Sequence, residues 1–353
     1  MIEKKISLFL LYKKIINDYH KNKNFIIFKR PNEDKIFFYS DSKKINKNYF
    51  IIKDFSQKKT IKIVPNNIYY VNIYNKYLNN DNYSFFSTKN FTKKNFSYHY
   101  KNLIKKSIYF INKKFLKKIV ISKNLKISLG KIDLIKTFKN LIFSHPNNLI
   151  SLWYNIHQGF WIGSTPELLM KYKNKILQTV ALAGTHWKND KYKWTNKEIN
   201  EHKIVINYIN NSLKDYDTNF FLDKTKTISI DSLFHLKTNI LIHFKKQISY
   251  KKILKNLYPN PSICGFPIIN AMNFIIENEN YERCFYTGYM GIVNDNDVEL
   301  YLNLRCAKIS YKKKQITLYA GSGIIENSNI YREYLETDKK MKNILSNFVI
   351  NNV

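Results

Sequence analysis

Residues Leu318–Lys340 read L-Y-A-G-S-G-I-I-E-N-S-N-I-Y-R-E-Y-L-E-T-D-K-K. Ile316, Leu318 and Ala320 alternate as in a short apolar strand, which is expected to end at Gly321-Ser322-Gly323. A polar turn and a helix follow. Glycines at a strand end let the backbone approach a ligand and leave amide N–H groups to hold an anion. On the helix, Glu333, Glu336 and Lys340 are spaced to share one face. Donors for an anion, two carboxylates and an ammonium therefore lie close together. The same pattern also suits a plain turn and a solvated helix with a Glu336–Lys340 ion pair.

Composition narrows the choice. The 353 residues can bury a large core, in one big domain or two. Lysine and arginine total 59, yet only four are arginine, and the formal net charge is +33. Such a charge would ordinarily point to a basic nucleic-acid-binding protein. The lysines, however, are scattered through every segment beside many asparagines, in the manner of drift toward AT-rich codons. Arginine, the residue suited to bidentate phosphate contacts, is nearly absent. Nucleic acid is therefore not the expected partner. Three dispersed cysteines (Cys264, Cys284, Cys306) form neither a disulfide framework nor a zinc motif. The apolar run Ile6–Tyr12 meets Lys13-Lys14 instead of a cleavage site, and no stretch is long enough to span a bilayer. A soluble, cytoplasmic, monomeric protein without membrane contact is expected.

Residues 1–95 contain neither glycine nor alanine. An amphipathic helix over about 4–20 precedes the runs Phe25–Phe28, Ile36–Tyr39, Tyr49–Ile52, Ile61–Val64 and Ile68–Ile73, read as strands of a meander with an Asn-rich turn at Asn79–Asn82. This segment carries no recognisable chemistry and reads as scaffold of the same fold. From 96 onward the texture changes. Helices are expected over Tyr98–Phe115, Ile132–Phe143 and about 197–213, 249–257 and 267–278. Strands are expected over Lys118–Ser122, Leu149–Asn155, Phe160–Gly163, Ile176–Leu182 and Thr227–Ile230, with an antiparallel run over 286–320. Hairpin and helical connections together indicate an α+β fold. No strand leads into a GxGxxG turn, which argues against a dinucleotide fold.

In a chain with nine glycines and five alanines, the positions that keep them are informative. They cluster in G-S-T-P-E (163–167), A-L-A-G-T (181–185), C-G-F-P (264–267) and A-G-S-G (320–323), pointing to one composite site in the last two thirds of the chain.

Nine motifs in order resemble the chorismate-utilising enzymes, and among them the isochorismate synthases. They are K-I-V-I-S, G-S-T-P-E-L-L, A-L-A-G-T, N-E-H-K-I-V, H-L-K-T, P-N-P-S-I-C-G-F-P, Y-T-G-Y-M-G, L-R-C-A-K, and Y-A-G-S-G-I through E-Y-L-E-T-D-K-K, spanning Lys117 to Leu345. The resemblance implies a single α/β sandwich of two large antiparallel sheets flanked by helices, with 96–353 as the chorismate-binding region. It implies Mg²⁺ as cofactor, chorismate as substrate, and a hydroxyl moved from C4 to C2, for menaquinone or a catecholate siderophore, menaquinone first.

By the same resemblance Lys118 is the base that activates water, and strand alternation turns it away from Lys117. Glu167 is the general acid. Thr165 as N-cap and Pro166 as first helical residue would also make it an ordinary helix start, where the dipole lowers a carboxylate's pKa although an acid catalyst needs it raised. Glu201 and Glu336 are the implied magnesium ligands, with Glu333 nearby through water. His235 and Thr238 line the pocket near the leaving hydroxyl. Arg305, Lys340, Tyr289 and the amides around Gly321 and Gly323 hold the carboxylates, and Gly184 and Ser262 complete the substrate contacts. Anthranilate synthases carry Gln where Lys118 stands, and aminodeoxychorismate synthases carry Lys where Ala183 stands. Both are disfavoured; salicylate synthase remains the alternative. Ala181, Asn260 and Ser262 depart from the common pattern.

Overall fold

The computed structural model describes residues 2–73, 98–128, 132–187, 193–230 and 233–350. Two large sheets organise the chain. The ten-stranded sheet runs in the order Glu3–Lys5, Ile68–Asn72, Lys35–Ser40, Phe25–Lys29, Leu149–Asn155, Gly159–Thr165, Cys306–Ser310, Gln315–Ile324, Lys118–Ser128 and Gly265–Phe266. The nine-stranded sheet runs Thr218–Leu222, Leu233–Phe244, Ile176–Trp187, Leu168–Lys173, Asp297–Leu302, Tyr289–Asn294, Asn48–Lys53 and Thr60–Ile63, with Lys226–Ile230 also paired to Leu233–Phe244. Pairing is antiparallel except at one edge, where Glu3–Lys5 lies parallel to Ile68–Asn72. This is the α+β sandwich expected from the sequence.

Alternation explains the layering. In Phe25–Lys29 every residue is buried, yet Phe25 and Ile27 pack toward Leu11 and Phe138 of flanking helices while Ile26 and Phe28 meet Phe50 and Ile52 of the other sheet. Helices Asn196–Ser212 and Tyr250–Leu257 pack on the second sheet, against Ile176–Trp187 and Leu168–Lys173. Tyr98–Asn112 and Ile268–Asn278 pack on Lys118–Ser128 of the first, and all four join one apolar cluster. Between the sheets runs a ladder of stacked rings: Trp153 on Trp161 (5.6 Å), Trp161 on Tyr319 (5.5 Å) and Tyr319 on Tyr286 (5.5 Å). No described helix is long and apolar enough to cross a membrane.

Several local expectations change. The five N-terminal strands form no simple meander: Asn48–Lys53 and Thr60–Ile63 cross to the second sheet while the others stay in the first. Strand hydrophobicity marks burial but not which sheet provides it. The expected turn at Asn79–Asn82 and the boundary near 95 lie outside the described residues. Pro166 and Glu167 start no helix; they link Gly159–Thr165 to Leu168–Lys173, which pairs with Asp297–Leu302. Gly321 and Gly323 lie within strand Gln315–Ile324, not beyond its end.

A buried ion pair ties the strand of Lys118 to the loop of Ser262. Arg283 donates to Glu279 (2.6 and 2.8 Å), to the Val120 carbonyl (2.7 Å) and to the Ile263 carbonyl (2.8 Å), while Glu279 accepts from the Ser122 amide (2.7 Å). Removing one member strands the other's charge, so Arg283→Met should destabilise the fold by about 3–5 kcal/mol in urea unfolding. A double variant with Glu279→Met should recover part of that loss.

Candidate active site

One cavity gathers residues from both sheets and two helices. Lys118 and Val120 come from strand Lys118–Ser128, Ala183 to Thr185 from Ile176–Trp187, and His235 from Leu233–Phe244. Gly321 and Gly323 come from Gln315–Ile324, Glu201 from helix Asn196–Ser212, and Glu336 and Lys340 from helix Ile330–Leu345. Glu167, Ser262, Tyr286, Thr287 and Arg305 enter on connections.

Lys118 is 1% exposed, and its Nζ lies 2.9 Å from Glu201 Oε1; Lys117 beside it is exposed. Glu201 is placed by a helix whose start is fixed by a capping box between Thr195 and Glu198. Its carboxylate fits because residue 323 is glycine: a Cβ there would stand 2.2 Å from Glu201 Oε1. Lys340 Nζ donates to Glu336 Oε1 (2.6 Å) and to the Gly321 carbonyl (2.8 Å), fastening the helix face to the strand. The expected Glu336–Lys340 pair exists, but on a largely buried helix face that lines the cavity, not on a solvated one. The amides of Val120 and Ser122 turn outward, to the Cys264 carbonyl and Glu279. Their partners Gly321 and Gly323 therefore direct their own amides away from that strand.

Glu167 is buried, and desolvation pushes its pKa up to about 7 against the pull of Ser262, Lys118 and Lys340. With no helix there, the dipole tension disappears. Ser262 Oγ lies 2.6 Å from Glu167 Oε1, so this residue contacts the Glu167 carboxyl itself. Gly184, at φ +74°, forms a bulge that turns its carbonyl onto His235 Nδ1 (3.1 Å). A carbonyl only accepts, so Nδ1 carries the proton and Nε2 presents a lone pair with no protein partner. Burial, Lys340 and Arg305 push the His235 pKa down to about 3, so the ring is neutral at ordinary pH.

The family model described as chorismate binding enzyme matches residues 41–349. This chain belongs to that family. Among the relatives of this chorismate-binding enzyme, the vibriobactin-specific isochorismate synthase of Vibrio cholerae is 26% identical over 245 residues, 65% of this chain and 62% of that protein. Isochorismate synthase MenF of Pasteurella multocida is 25% identical over 201 residues, 54% of this chain and 47% of that one. The matches thus span less than two thirds of either relative. The structure of MenF, the menaquinone-specific isochorismate synthase from Escherichia coli, shares the fold at a TM-score of 0.77 and 18% identity, covering 92% of this chain and 88% of that one.

Three candidates lie outside the cavity lining. Tyr289 packs edge-on against Tyr258 (5.0 Å) in a strand of the second sheet; Tyr286, three residues earlier, lines the cavity instead. Thr238 bonds His202 Nε2 and Thr225 (each 2.8 Å). Glu333 faces Lys197 (2.8 Å) on the neighbouring helix and is pushed up to about 7 by burial and by Glu336. Tyr286, Thr287 and Tyr319 were not picked out from the sequence. Thr287 at φ +61° and Arg305 at φ +49° are left-handed, and no composition signal marks that.

Among the described residues, no three His, Cys, Asp or Glu are arranged to hold a metal. Glu201 and Glu336 nevertheless suit Mg²⁺, which takes only one or two protein carboxylates and completes its shell from water and substrate. A hard cation there would also relieve the crowding by Glu336 that adds to burial in raising Glu333. Gly323→Ala should displace only the tip of Glu201, since the clash is with a flexible carboxylate. The melting temperature should hold while, on the activity proposed below, turnover of chorismate falls roughly 10²-fold.

Proposed function

We propose that this protein is a Mg²⁺-dependent isochorismate synthase, adding water at C2 of chorismate as the C4 hydroxyl leaves. One observation carries the reading: a single cavity holds the buried lysine Lys118 and, at Glu167, a buried carboxyl that keeps its proton to about pH 7. Lys118 takes a proton from the water whose oxygen bonds C2. Glu167 gives its proton to the C4 oxygen, which departs as water while the ring double bonds shift. The count closes when the proton on Lys118 returns to Glu167. Arg305 and Lys340 hold the substrate's carboxylates, and neutral His235 accepts from a ring hydroxyl through Nε2. Glu201 and Glu336 would hold Mg²⁺, whose charge when bound offsets that of a substrate carboxylate.

The isochorismate would feed menaquinone biosynthesis, and the activity belongs in the cytoplasm, where the free thiols of Cys264, Cys284 and Cys306 suit a reducing environment. Incubation with chorismate and Mg²⁺ followed by product identification tests the whole reading. Isochorismate supports it, salicylate with pyruvate redirects it to salicylate synthase, and no turnover overturns it.

Lys118→Ala and Glu167→Gln should each lower kcat by about 10²–10⁴, whereas Lys117→Ala, on the exposed side, should change little. Equal damage from both lysine variants would remove the base from Lys118.

Because Glu167 acts protonated, kcat/KM should fall as pH rises through about 7. That limb should be absent in Glu167→Gln.

A further inference from the structure

Ser262 Oγ lies 2.6 Å from Glu167 Oε1 and 2.7 Å from Asn260 Oδ1. A hydroxyl carries one proton, so it cannot donate to both. Asn260 Oδ1 also accepts the Ser262 amide N–H (3.1 Å), which fixes the oxygen, not the NH₂ group, toward Ser262. An amide oxygen cannot donate. When Ser262 gives its proton to Asn260, its contact with Glu167 is a hydrogen bond only if Glu167 itself donates, as a protonated acid. When Glu167 ionises, the hydroxyl turns to the new carboxylate and Asn260 loses a donor.

We infer that Asn260 and Ser262 are positioning residues that set how firmly Glu167 holds its proton, Asn260 drawing the Ser262 hydroxyl toward itself and Ser262 yielding it to the carboxylate as the acid discharges. The inference rests on the acid role given to Glu167 above, but its geometry stands without any substrate. The two residues act with opposite sign. Ser262 stabilises the ionised acid by donating to it. Asn260 opposes ionisation by competing for the same proton. The charged groups acting on Glu167 are Lys118 of the adjoining strand and Lys340 of the helix, with His235, Arg305, Glu201 and Glu336 lining the same cavity. Neither substitution below touches them, so they form a common background.

The test is an infrared pH titration of the free, full-length protein with ¹³C-labelled glutamate, following the protonated carboxyl band that Glu167→Gln abolishes. Ser262→Ala should raise the Glu167 midpoint and Asn260→Ala should lower it, each by about one unit. Ser262→Thr, which keeps the hydroxyl, should restore the wild-type midpoint. In the double variant Asn260→Ala with Ser262→Ala, the midpoint should equal that of Ser262→Ala alone, because Asn260 acts only through the hydroxyl. Shifts of the same sign, or an effect of Asn260→Ala that persists without Ser262, would overturn the inference. If Asn260→Ala does not fold, Ser262→Ala against Ser262→Thr still decides, and an unmoved midpoint in Ser262→Ala overturns it. This readout needs neither turnover nor metal, so it separates from the chorismate assay. Opposed midpoints without isochorismate formation would sink the proposed activity and leave the Asn260–Ser262 pair standing.

Discussion

The register between strands Lys118–Ser128 and Gln315–Ile324 holds the cavity together. Ile119 lies opposite Ile324, Val120 opposite Gly323 and Ser122 opposite Gly321, and the pairing continues without a break to Ser128 and Gln315. Side chains alternate faces along a strand, so a slip of one residue would turn Lys118 out of the cavity and bring Lys117 in. A slip of the partner strand would instead replace Gly323 beside Glu201 with a residue carrying a Cβ. Long, continuous pairing makes either slip expensive, because every buried apolar residue on the slipped strand would change face together. The geometry of the cavity is inherited from that of the sheet.

Within that frame, charge is distributed unevenly in a useful way. Three buried carboxylates each have a lysine within hydrogen-bonding distance: Glu201 with Lys118 (2.9 Å), Glu336 with Lys340 (2.6 Å) and Glu333 with Lys197 (2.8 Å). Glu167 alone among the cavity carboxylates has a hydroxyl as its direct partner, Ser262. Desolvation therefore outweighs the more distant pull of Lys118 and Lys340, and its pKa rises to about 7. Glu333, which burial and Glu336 also raise to about 7 despite Lys197, lies outside the cavity lining. Among the described carboxylates that line it, Glu167 is therefore the one without a lysine at hydrogen-bonding distance.

Much of this was legible in the sequence because it depends on local pattern. Strands such as Leu149–Asn155 appear with the expected bounds. A period of two puts Lys117 and Lys118 on opposite faces, while the resemblance to the family pointed to Lys118 as the one facing the cavity. Features decided by distant partners were not legible. Thr165-Pro166-Glu167 has the local form of a helix start, yet pairing with Asp297–Leu302 keeps the chain extended. Glu333 shares helical spacing with Glu336 and Lys340, but Lys197 on another helix draws it aside. Tyr286 and Tyr289 are indistinguishable by type, and only the ring stack through Tyr319 and Trp161 shows which reaches the cavity.

The depletion of glycine turns out to be a physical filter as well as a codon bias. A sequence drifting away from glycine keeps it where a side chain cannot fit. At residue 265 a Cβ would stand 2.4 Å from the Lys118 carbonyl, and at 323 it would strike Glu201 from the other flank of the same strand. Lys118 is thus bracketed by two strands that each present a glycine. One lets the backbone of the Lys118 strand pack closely, and the other gives the carboxylate partner of Lys118 its place. Neither glycine needs to touch substrate for its loss to be felt at Lys118. Gly184, Gly321 and Gly323 line the cavity, whereas at 288 and 291 a Cβ would strike the backbone of neighbouring strands away from it.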